Sequence, residues 1–373
     1  MVRVKRGHVA RVLCLDCDNP FGAAPGGQSV FTRDMVLSMA DTLNITLATL
    51  GPVKESHDPH VTYESVVSGG HSTRRDMASF ALKGRRYVHR QSGYDVVIEQ
   101  FTSPVGPLGL PTATSAPVIG VACFSFWKEM SEKYHLPFNS IARRRLAHYR
   151  WLIANHDSVA KRLRQLAPRA EVVVIEQLVS VGPESVPTAP GTTALFLGRA
   201  DWHQKGIDLL IGALELVEIP GLVVEIAGFD ASDPTWERFA RGRNFKCEIR
   251  FLSYVSGAEK AAAFERARVV LVPSRYEGPG YVVLEAANFG VPSVAFDLPC
   301  FSDRRDLMFL SHDVNARGFA NALERAWSDE ESYNAVRARC IASAANNKGN
   351  AQVAKFHNFV DRIIATGPNP EER

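Results

Sequence analysis

Short apolar runs alternate along the chain with longer stretches in which apolar residues recur at helical spacing. Such runs are typical of buried strands in a parallel sheet, and the stretches between them are typical of crossover helices. The predicted strands of the first half are residues 9–14, 45–50, 96–99, 118–123, 152–154 and 172–175. Those of the second half are residues 195–197, 223–227, 249–251, 269–272 and 293–296. The pattern predicts an α/β protein with two doubly wound, Rossmann-like domains.

A segment rich in proline and glycine separates the two halves. Residues 181–193 contain three prolines and two glycines, which interrupt both helix and strand patterns. We therefore expect an N-terminal domain at residues 1–182, a hinge at 183–193 and a C-terminal domain at 194–350. Ligands of open parallel sheets bind outside the carboxyl ends of the strands, so two facing domains are expected to enclose a cleft.

Composition supports an ordinary globular protein. The chain has 373 residues, of which 46% are hydrophobic and 22% charged, enough for about two domains with separate cores. The six cysteines are scattered and mostly lie in apolar runs, so we interpret them, including Cys14 and Cys17, as reduced core residues. The basic N-terminus does not fit a signal peptide, and no stretch of about 18 apolar residues predicts a membrane-spanning helix. We expect a cytoplasmic protein.

Charge is distributed unevenly between the halves. Residues 1–185 carry 22 Lys and Arg against 16 Asp and Glu, whereas residues 186–373 carry 21 against 24. Much of the excess lies at residues 74–75, 83–90 and 128–150. These clusters fit either solvated helix faces or contact with an anionic partner, such as the inner face of a membrane or a phosphorylated acceptor. We do not expect nucleic acid as a partner.

Two loops that follow predicted strands carry the candidate chemistry. In the first, Gly198 and Arg199 follow strand 195–197, and Lys205 precedes a predicted helix. Two cations at the carboxyl end of a strand, beside a helix N-terminus, can bind a diphosphate. A surface loop with two solvated cations is the alternative.

The second loop follows strand 269–272 and is rich in glycine. Gly278 and Gly280 allow a ligand to approach the backbone closely, and the amides of residues 281–283 open a helix that can face phosphate oxygens without a metal. Glu277 lies in the loop and Glu285 about two turns into the helix. Their carboxylates can accept hydrogen bonds from paired sugar hydroxyls. The alternative is a helix cap at Glu277 and an exposed side chain at Glu285.

Together, the two loops resemble the retaining glycosyltransferases of family 4, which have the GT-B architecture. That family shares a G-R-x5-K-G element and, some 70–80 residues later, an E-x7-E element. This chain has Gly198-Arg199 to Lys205-Gly206, and then Glu277 to Glu285. The order and spacing of both elements carry the resemblance, which implies a GT-B fold.

The resemblance implies a role for each residue of the two elements. Arg199 and Lys205 would hold the donor diphosphate, Glu285 the ribose hydroxyls, and Glu277 the transferred sugar. The backbone of Gly278, Pro279, Gly280, Tyr281 and Val282 would line the sugar, although relatives commonly have phenylalanine where this chain has Pro279. The base would lie near Ser253, Tyr254 and Val255, mostly on backbone groups. We expect Arg199, Lys205 and Glu277 to be the catalytic residues, with no metal and no cofactor.

The N-terminal half resembles the family more weakly. Strand 9–14, a loop containing Gly26 and Gly27, and a helix at residues 28–40 match the first strand, glycine loop and helix of the family. The loop would close over the donor, and an ordinary β–α turn is the alternative. Cys123 stands where many relatives have a histidine. In GT-B enzymes a last helix packs back on the first domain, so we expect the helix at residues 351–366 to do so.

The expected function is the retaining, metal-independent transfer of a hexosyl unit. The donor would be a nucleotide sugar linked to GDP, UDP or ADP, and the acceptor a hydroxyl of a glycan, a glycolipid or a natural product. Retention in this family is attributed to front-face attack, in which the departing phosphate takes the acceptor's proton. A nucleotide-sugar epimerase of GT-B architecture and a non-catalytic nucleotide-sugar-binding homologue are the alternatives.

Overall fold

A computed structural model describes most of the chain as two units. The described residues are 9–19, 27–51, 60–69, 73–102, 106–124, 126–176, 186–278, 280–345 and 349–367. The first unit comprises residues 1–178 and 348–373, and the second comprises residues 179–347. Each unit is built around its own hydrophobic core.

The first unit contains a seven-stranded sheet in which every strand pair is parallel. Its strands are β1 (Arg11–Asp16), β2 (Asn44–Leu50), β3 (Val61–Val67), β4 (Val96–Gln100), β5 (Val118–Ala122), β6 (Trp151–Ala154) and β7 (Glu171–Val174). They lie in the order β3-β2-β1-β4-β5-β6-β7. The reversal of order between β1 and β4 is the mark of a doubly wound sheet, and ligands of such sheets bind at this point.

Five helices of the first unit connect these strands. They are α1 (Gly27–Met39), α2 (Thr73–Arg90), α3 (Trp127–Tyr134), α4 (Phe138–Leu146) and α5 (Asp157–Leu166), with a 3-10 turn at Leu110–Thr112. The apolar faces of these helices cover the sheet because strands buried on both faces need a helix layer on each side. Phe31, Met35 and Val36 of α1 are examples of such buried residues.

The second unit repeats the design with a six-stranded parallel sheet. Its strands are β8 (Thr193–Leu197), β9 (Val223–Ala227), β10 (Glu248–Ser253), β11 (Ala267–Val272), β12 (Ser293–Phe296) and β13 (Met308–Ser311), in the order β10-β9-β8-β11-β12-β13. Its helices are α6 (Ile207–Leu216), α7 (Pro234–Ala240), α8 (Gly257–Arg266), α9 (Tyr281–Asn288), α10 (Ala316–Ser328) and α11 (Glu330–Ala345). The carboxyl ends of β8, β10 and β11 lie at one edge of this sheet.

The last helix, α12 (Gly349–Thr366), belongs to the first unit. Phe356, Phe359, Val360 and Ile363 on one side of the helix join the core of that unit. Arg362 forms an ion pair with Glu171 at 2.5 Å. The apolar stripe of this helix is therefore used for packing.

The predicted hinge is described only from residue 186 onwards. Arg337 of α11 is nearly buried and donates hydrogen bonds to the carbonyl oxygens of Gly290, at 3.0 Å, and of Pro187. Thr193, the last residue of the predicted hinge, already belongs to β8. The described part of the linker is thus fixed to the second unit, and residues 183–185 lie outside the described residues.

The predicted fold class, two doubly wound α/β domains, is confirmed, but two strands were missed. Strand β3 carries the polar residues Thr62, Glu64 and Ser65, which interrupt its apolar run, and only its end residues Val61 and Val67 are buried. Strand β13 is buried but only four residues long. Both lie at sheet edges, as do β7 and β10, which were predicted, so edge position alone does not explain the two misses. No helix in the described parts of the chain is long and apolar enough to cross a bilayer.

Candidate active site

The loop after β8 is a folded structure held by its own side chains. The Oδ1 atom of Asp201 accepts hydrogen bonds from the amides of His203 and Gln204, each at 2.9 Å. The amide of Lys205 then donates to the carbonyl oxygen of Asp201 at 2.9 Å. An Asp side chain bonded to the following backbone stabilises a tight turn. This turn places Lys205 directly before Gly206, the N-cap of α6.

Gly206 brings this loop against the second one. It precedes α6 with a left-handed backbone (φ 66°), and a Cβ atom there would lie 2.0 Å from the carbonyl oxygen of Pro273. Only glycine fits such an approach. The backbone contact therefore joins the two loops that the sequence pattern singled out.

Lys205 and Glu277 meet directly at this junction. Lys205 Nζ lies 2.6 Å from Glu277 Oε1, and the Ser274 hydroxyl donates to the same oxygen at 2.6 Å. The side chain of Glu277 is 7% exposed and that of Lys205 is 20% exposed. A nearly buried carboxylate requires this compensation. Glu277 is thus neither a helix cap nor a solvated side chain.

Arg199 occupies a more open position than Lys205. Its side chain is exposed, and Nη2 donates to Gln204 Oε1 at 3.2 Å. The preceding residue, Gly198, donates its amide to Ala227 at the end of β9. Both predicted cations therefore lie on the loop after β8, but only Lys205 is brought into contact with a predicted acidic residue.

The second loop ends at a glycine that faces an aromatic ring. Gly280 is the N-cap of α9 with φ 65°, and a Cβ atom there would lie 2.4 Å from Cε1 of Phe301. Tyr281 and Val282 open the helix and are partly exposed, as is Gly278. Pro279 lies outside the described residues, so its contact with a sugar stays a prediction.

Glu285 has a basic partner that the sequence motif does not contain. Glu285 lies on the second turn of α9, and its Oε1 atom accepts a hydrogen bond from Lys260 Nζ of α8 at 2.6 Å. The two side chains are 16% and 18% exposed. The pair brings together two helices whose relative position no local pattern encodes, which is why Lys260 was missed.

Arg275 is a second residue that the sequence analysis missed. Its guanidinium binds both carboxylate oxygens of Asp208 on α6, at 2.8 and 2.6 Å, and also the carbonyl oxygen of Trp202. The hydrogen bonds that Arg275 donates to Asp208 raise the pKa of the guanidinium. A bidentate Arg–carboxylate pair is geometrically specific. The pair therefore fixes the loop after β8 to the loop after β11. In the sequence, only the Pro-Ser-Arg run shortly before Glu277 pointed to Arg275.

The predicted base-binding segment follows β10. Ser253 has a left-handed backbone (φ 53°), and its carbonyl oxygen accepts a hydrogen bond from Gly228 at 2.6 Å. Tyr254 is exposed and Val255 is partly exposed. This turn lies at the same edge of the sheet as the loops after β8 and β11.

Little of the predicted glycine loop of the first unit is described. Gly26 lies outside the described residues, and Gly27 is the first residue of α1. Cys123, at the position of the family histidine, is buried, and its Sγ atom accepts a hydrogen bond from Gln100 Nε2 at 3.5 Å. Among the residues that the structure describes, no group of three or more His, Cys, Asp or Glu side chains is arranged to hold a metal ion.

Comparison with solved structures identifies the fold. The chain is similar to sucrose-phosphate synthase from Thermosynechococcus elongatus with a TM-score of 0.77 and 16% identity, over 96% of this chain and 100% of the other. It is similar to the lipopolysaccharide glycosyltransferase WaaG with a TM-score of 0.69 and 15% identity, over 96% and 100%. Anabaena HepE in complex with UDP-glucose gives a TM-score of 0.68 and 14% identity, over 94% and 99%. The fold is the GT-B fold of glycosyltransferases.

Part of the second unit is also similar in sequence to known proteins. Residues 191–329 match the model of the family described as glycosyl transferases group 1. A phosphatidyl-myo-inositol mannosyltransferase of Mycobacterium leprae is 34% identical over 159 residues, which are 39% of this chain and 40% of that protein. A glycogen synthase of Thermus thermophilus is 36% identical over 101 residues, or 27% and 23%. The matched regions span less than half of the length of these relatives.

Proposed function

We propose that this protein transfers a hexosyl unit from a nucleotide-diphosphate sugar to a hydroxyl acceptor, with retention of configuration and without a metal ion. The observation that carries the proposal is the contact between Lys205 and Glu277, at 2.6 Å. It joins the two sequence elements on which the resemblance to family 4 depends. The second unit would bind the donor and the first unit the acceptor.

The charges of the second unit support a nucleotide-sugar donor. Cleavage of the bond between the sugar and the diphosphate builds negative charge on the leaving phosphate. Arg199 and Lys205 carry positive charge on one loop, and α9 adds the partial positive charge of a helix N-terminus shortly after Glu277. HepE, a protein of the same fold, has been solved with UDP-glucose.

Glu277 suits binding of the transferred sugar better than attack on it. Its Oε1 atom already accepts hydrogen bonds from Lys205 and Ser274, which fixes its orientation. A carboxylate has about four acceptor sites, so Glu277 retains capacity for sugar hydroxyls. In the proposed mechanism the departing phosphate takes the proton of the acceptor, and Glu277 holds the sugar in place.

A lipid-linked acceptor at an anionic membrane surface is the acceptor class that the first unit supports best. Helices α3 and α4 form a hairpin with exposed Leu136 and Ile141 beside exposed Lys128, Arg143 and Arg144. Apolar side chains flanked by basic ones bind anionic interfaces. The mannosyltransferase relative is named for a phosphatidyl-inositol acceptor.

The donor site is tested by nucleotide binding and turnover. We expect one of UDP, GDP and ADP to stabilise the protein by about 2.7 kcal/mol at 100 times its Kd. We expect Lys205→Ala and Arg199→Ala to lower turnover by about 10²-fold or more, because each removes a cation that stabilises the leaving phosphate. Lys246→Ala removes an exposed lysine paired with Glu218 and serves as the control.

Three outcomes separate the proposal from its alternatives. A transferase releases nucleotide from the sugar donor briskly only when an acceptor is present. Conversion of the donor without any acceptor would indicate an epimerase, and tight binding without turnover across a panel of acceptors would indicate a non-catalytic binder. Unchanged turnover in both Arg199→Ala and Lys205→Ala would contradict the proposed role of these cations.

A further inference from the structure

Lys260 is the residue near the proposed donor site to which no role has yet been assigned. It lies on the first turn of α8 and contacts Glu285 of α9, with 2.6 Å between Nζ and Oε1. Both side chains are largely buried, at 18% and 16% exposure. The pair therefore joins two helices that begin at the same edge of the second sheet.

Burial distinguishes this pair from the exposed ion pairs of equal length in the same unit. Lys246 and Glu218 also lie 2.6 Å apart, but their side chains are 56% and 73% exposed. Exposed pairs contribute little because water solvates both charges and the side chains move freely. In a partly buried pair, the lysine compensates the desolvation of the carboxylate, and each side chain restricts the other.

One bond to Lys260 leaves most of the acceptor capacity of Glu285 available. A carboxylate has two oxygens and about four acceptor sites. Lys260 occupies one site on Oε1 and fixes the side-chain orientation. A charged, oriented carboxylate is the best partner for two adjacent hydroxyls because hydrogen bonds to ionised groups are roughly twice as strong as neutral ones.

We propose that Lys260 is a positioning residue that holds Glu285 in the orientation that recognises the 2′- and 3′-hydroxyls of the donor's ribose. This role rests on the proposed function, in which Glu285 binds the ribose. Lys260 acts through Glu285 and does not touch the nucleotide. It makes the site selective for ribonucleotides over deoxyribonucleotides.

The alternative is that Lys260 contributes only to the stability of the second unit by joining α8 to α9. A structural pair predicts lower stability for any variant that breaks it, with no dependence on the sugar of the ligand. A positioning role predicts an effect that depends on the ribose hydroxyls. The two roles are therefore separable by changing the ligand while the protein variant stays the same.

The test combines variants of Lys260 with ligands that lack the hydroxyls. Isothermal titration calorimetry measures the Kd of the tightest binder among UDP, GDP and ADP, and of its 2′,3′-dideoxy counterpart. For Lys260→Met we expect binding of the ribonucleotide to weaken about tenfold or more, the loss typical of a hydrogen bond to a charged group. The Kd of the dideoxy nucleotide should change less than about twofold.

Two further variants complete the experiment. Lys260→Arg keeps the charge and should restore most of the preference for the ribonucleotide. Lys246→Met breaks the exposed pair and should leave both Kd values unchanged. Thermal unfolding without ligand reports any loss of stability in each variant separately.

Every result bears on the proposal. Equal weakening of both ligands in Lys260→Met would show direct contact with the base or the phosphates and overturn it. Unchanged Kd values for both ligands in that variant would overturn it as well, and the nucleotide-binding function would stand. A wild-type protein that binds no nucleoside diphosphate would overturn the proposed function and this role together.

Discussion

At the scale of single residues, two Lys–Glu pairs organise the second unit around its candidate site. Lys205 with Glu277 and Lys260 with Glu285 each bring a lysine from one loop or helix to a carboxylate from another, at 2.6 Å. Burial makes each unpaired charge costly, so each pair fixes the position of its carboxylate. Both glutamates and Lys205 belong to a recognisable sequence motif. A role for Lys260 can be inferred only from its contact with Glu285.

A buried carboxyl group in the first unit is the best site for a pH test. Glu99 of β4 is 1% exposed, accepts a hydrogen bond from the amide of Leu108 at 2.6 Å, and also accepts one from the Tyr149 hydroxyl. Burial raises the pKa of Glu99 from 4.5 to about 7. Burial also raises the pKa of Asp16, at the end of β1, to about 7.

We expect the first unit to lose stability as the pH rises from about 4.5 to about 7. The folded state holds the Glu99 proton more tightly than the unfolded state does, so loss of that proton disfavours the folded state. Glu99→Gln should reduce this loss of unfolding free energy by roughly 1–3 kcal/mol. The part of the loss that comes from Asp16 should remain. Hydrogen exchange on peptides of the first sheet at pH 5 and pH 8, corrected for the intrinsic pH dependence of exchange, measures this difference.

The control for this test is Glu132→Gln, which neutralises an exposed carboxylate of the same unit. It should leave the pH dependence of the first sheet as in the wild type. Equal pH dependence in Glu99→Gln and the wild type would contradict the assignment of the slope to this buried group.

At the scale of elements, the site depends on two helices that begin at glycines. Helices α6 and α9 have Gly206 and Gly280 as N-caps, both in the left-handed conformation and without a side-chain cap. A side chain at either position would collide with Pro273 or Phe301. The close approach brings Lys205, the residue before the N-cap of α6, to Glu277. Cap residues with a polar side chain would satisfy the helix better but would not fit.

Comparison of Gly206→Ala with Gly221→Ala separates the cost of the steric contact with Pro273 from the cost of the left-handed backbone. Both glycines are left-handed, at φ 66° and 70°, but a Cβ atom at Gly221 meets nothing within 4 Å. Gly221→Ala should cost only the left-handed strain of about 1–2 kcal/mol. Gly206→Ala should cost a further ~1–3 kcal/mol by overpacking, and should lower turnover because Lys205 moves with the loop.

Chemical denaturation of the two variants under identical conditions measures the difference in the free energy of unfolding, and turnover is measured on the folded proteins. Equal destabilisation by the two substitutions would mean that the backbone at Pro273 yields without cost. The hypothesis that the contact of Gly206 with Pro273 joins the two loops rigidly would then be wrong.

At the scale of the whole molecule, the two halves differ in charge as well as in proposed role. The positive excess lies in the first half of the sequence, and part of it is exposed on α3 and α4. Electrostatic attraction concentrates such a surface at anionic lipids and weakens with salt. The exposed apolar residues between the basic ones, Leu136 and Ile141, supply contact that salt does not screen.

We expect the protein to sediment with vesicles of phosphatidylcholine and phosphatidylglycerol but not with vesicles of phosphatidylcholine alone. Arg143→Ala combined with Arg144→Ala should weaken this binding by about tenfold or more, at about 1 kcal/mol for each basic residue. The matched control is Lys161→Ala combined with Arg164→Ala, which removes two exposed cations of α5 in the same unit. Equal weakening by both pairs would show that net charge, and not this hairpin, directs binding.

The sequence alone determined the fold class and the two loops that carry the candidate chemistry. Central parallel strands are buried on both faces, so their apolar runs stand out, and each of the two motif elements is short and local enough to be recognised. The sequence did not determine strand β3, whose apolar run is interrupted by Thr62, Glu64 and Ser65, or the four-residue strand β13.

Only the tertiary structure decided which charges meet. Lys205 with Glu277, Lys260 with Glu285, and Arg275 with Asp208 are separated by 72, 25 and 67 residues, so their pairing depends on how strands and helices are arranged in space. The burial that gives these contacts their energy is likewise a property of the packed unit. A sequence pattern reports the periodicity of each element, and the distance between two elements appears only when their side chains pack together.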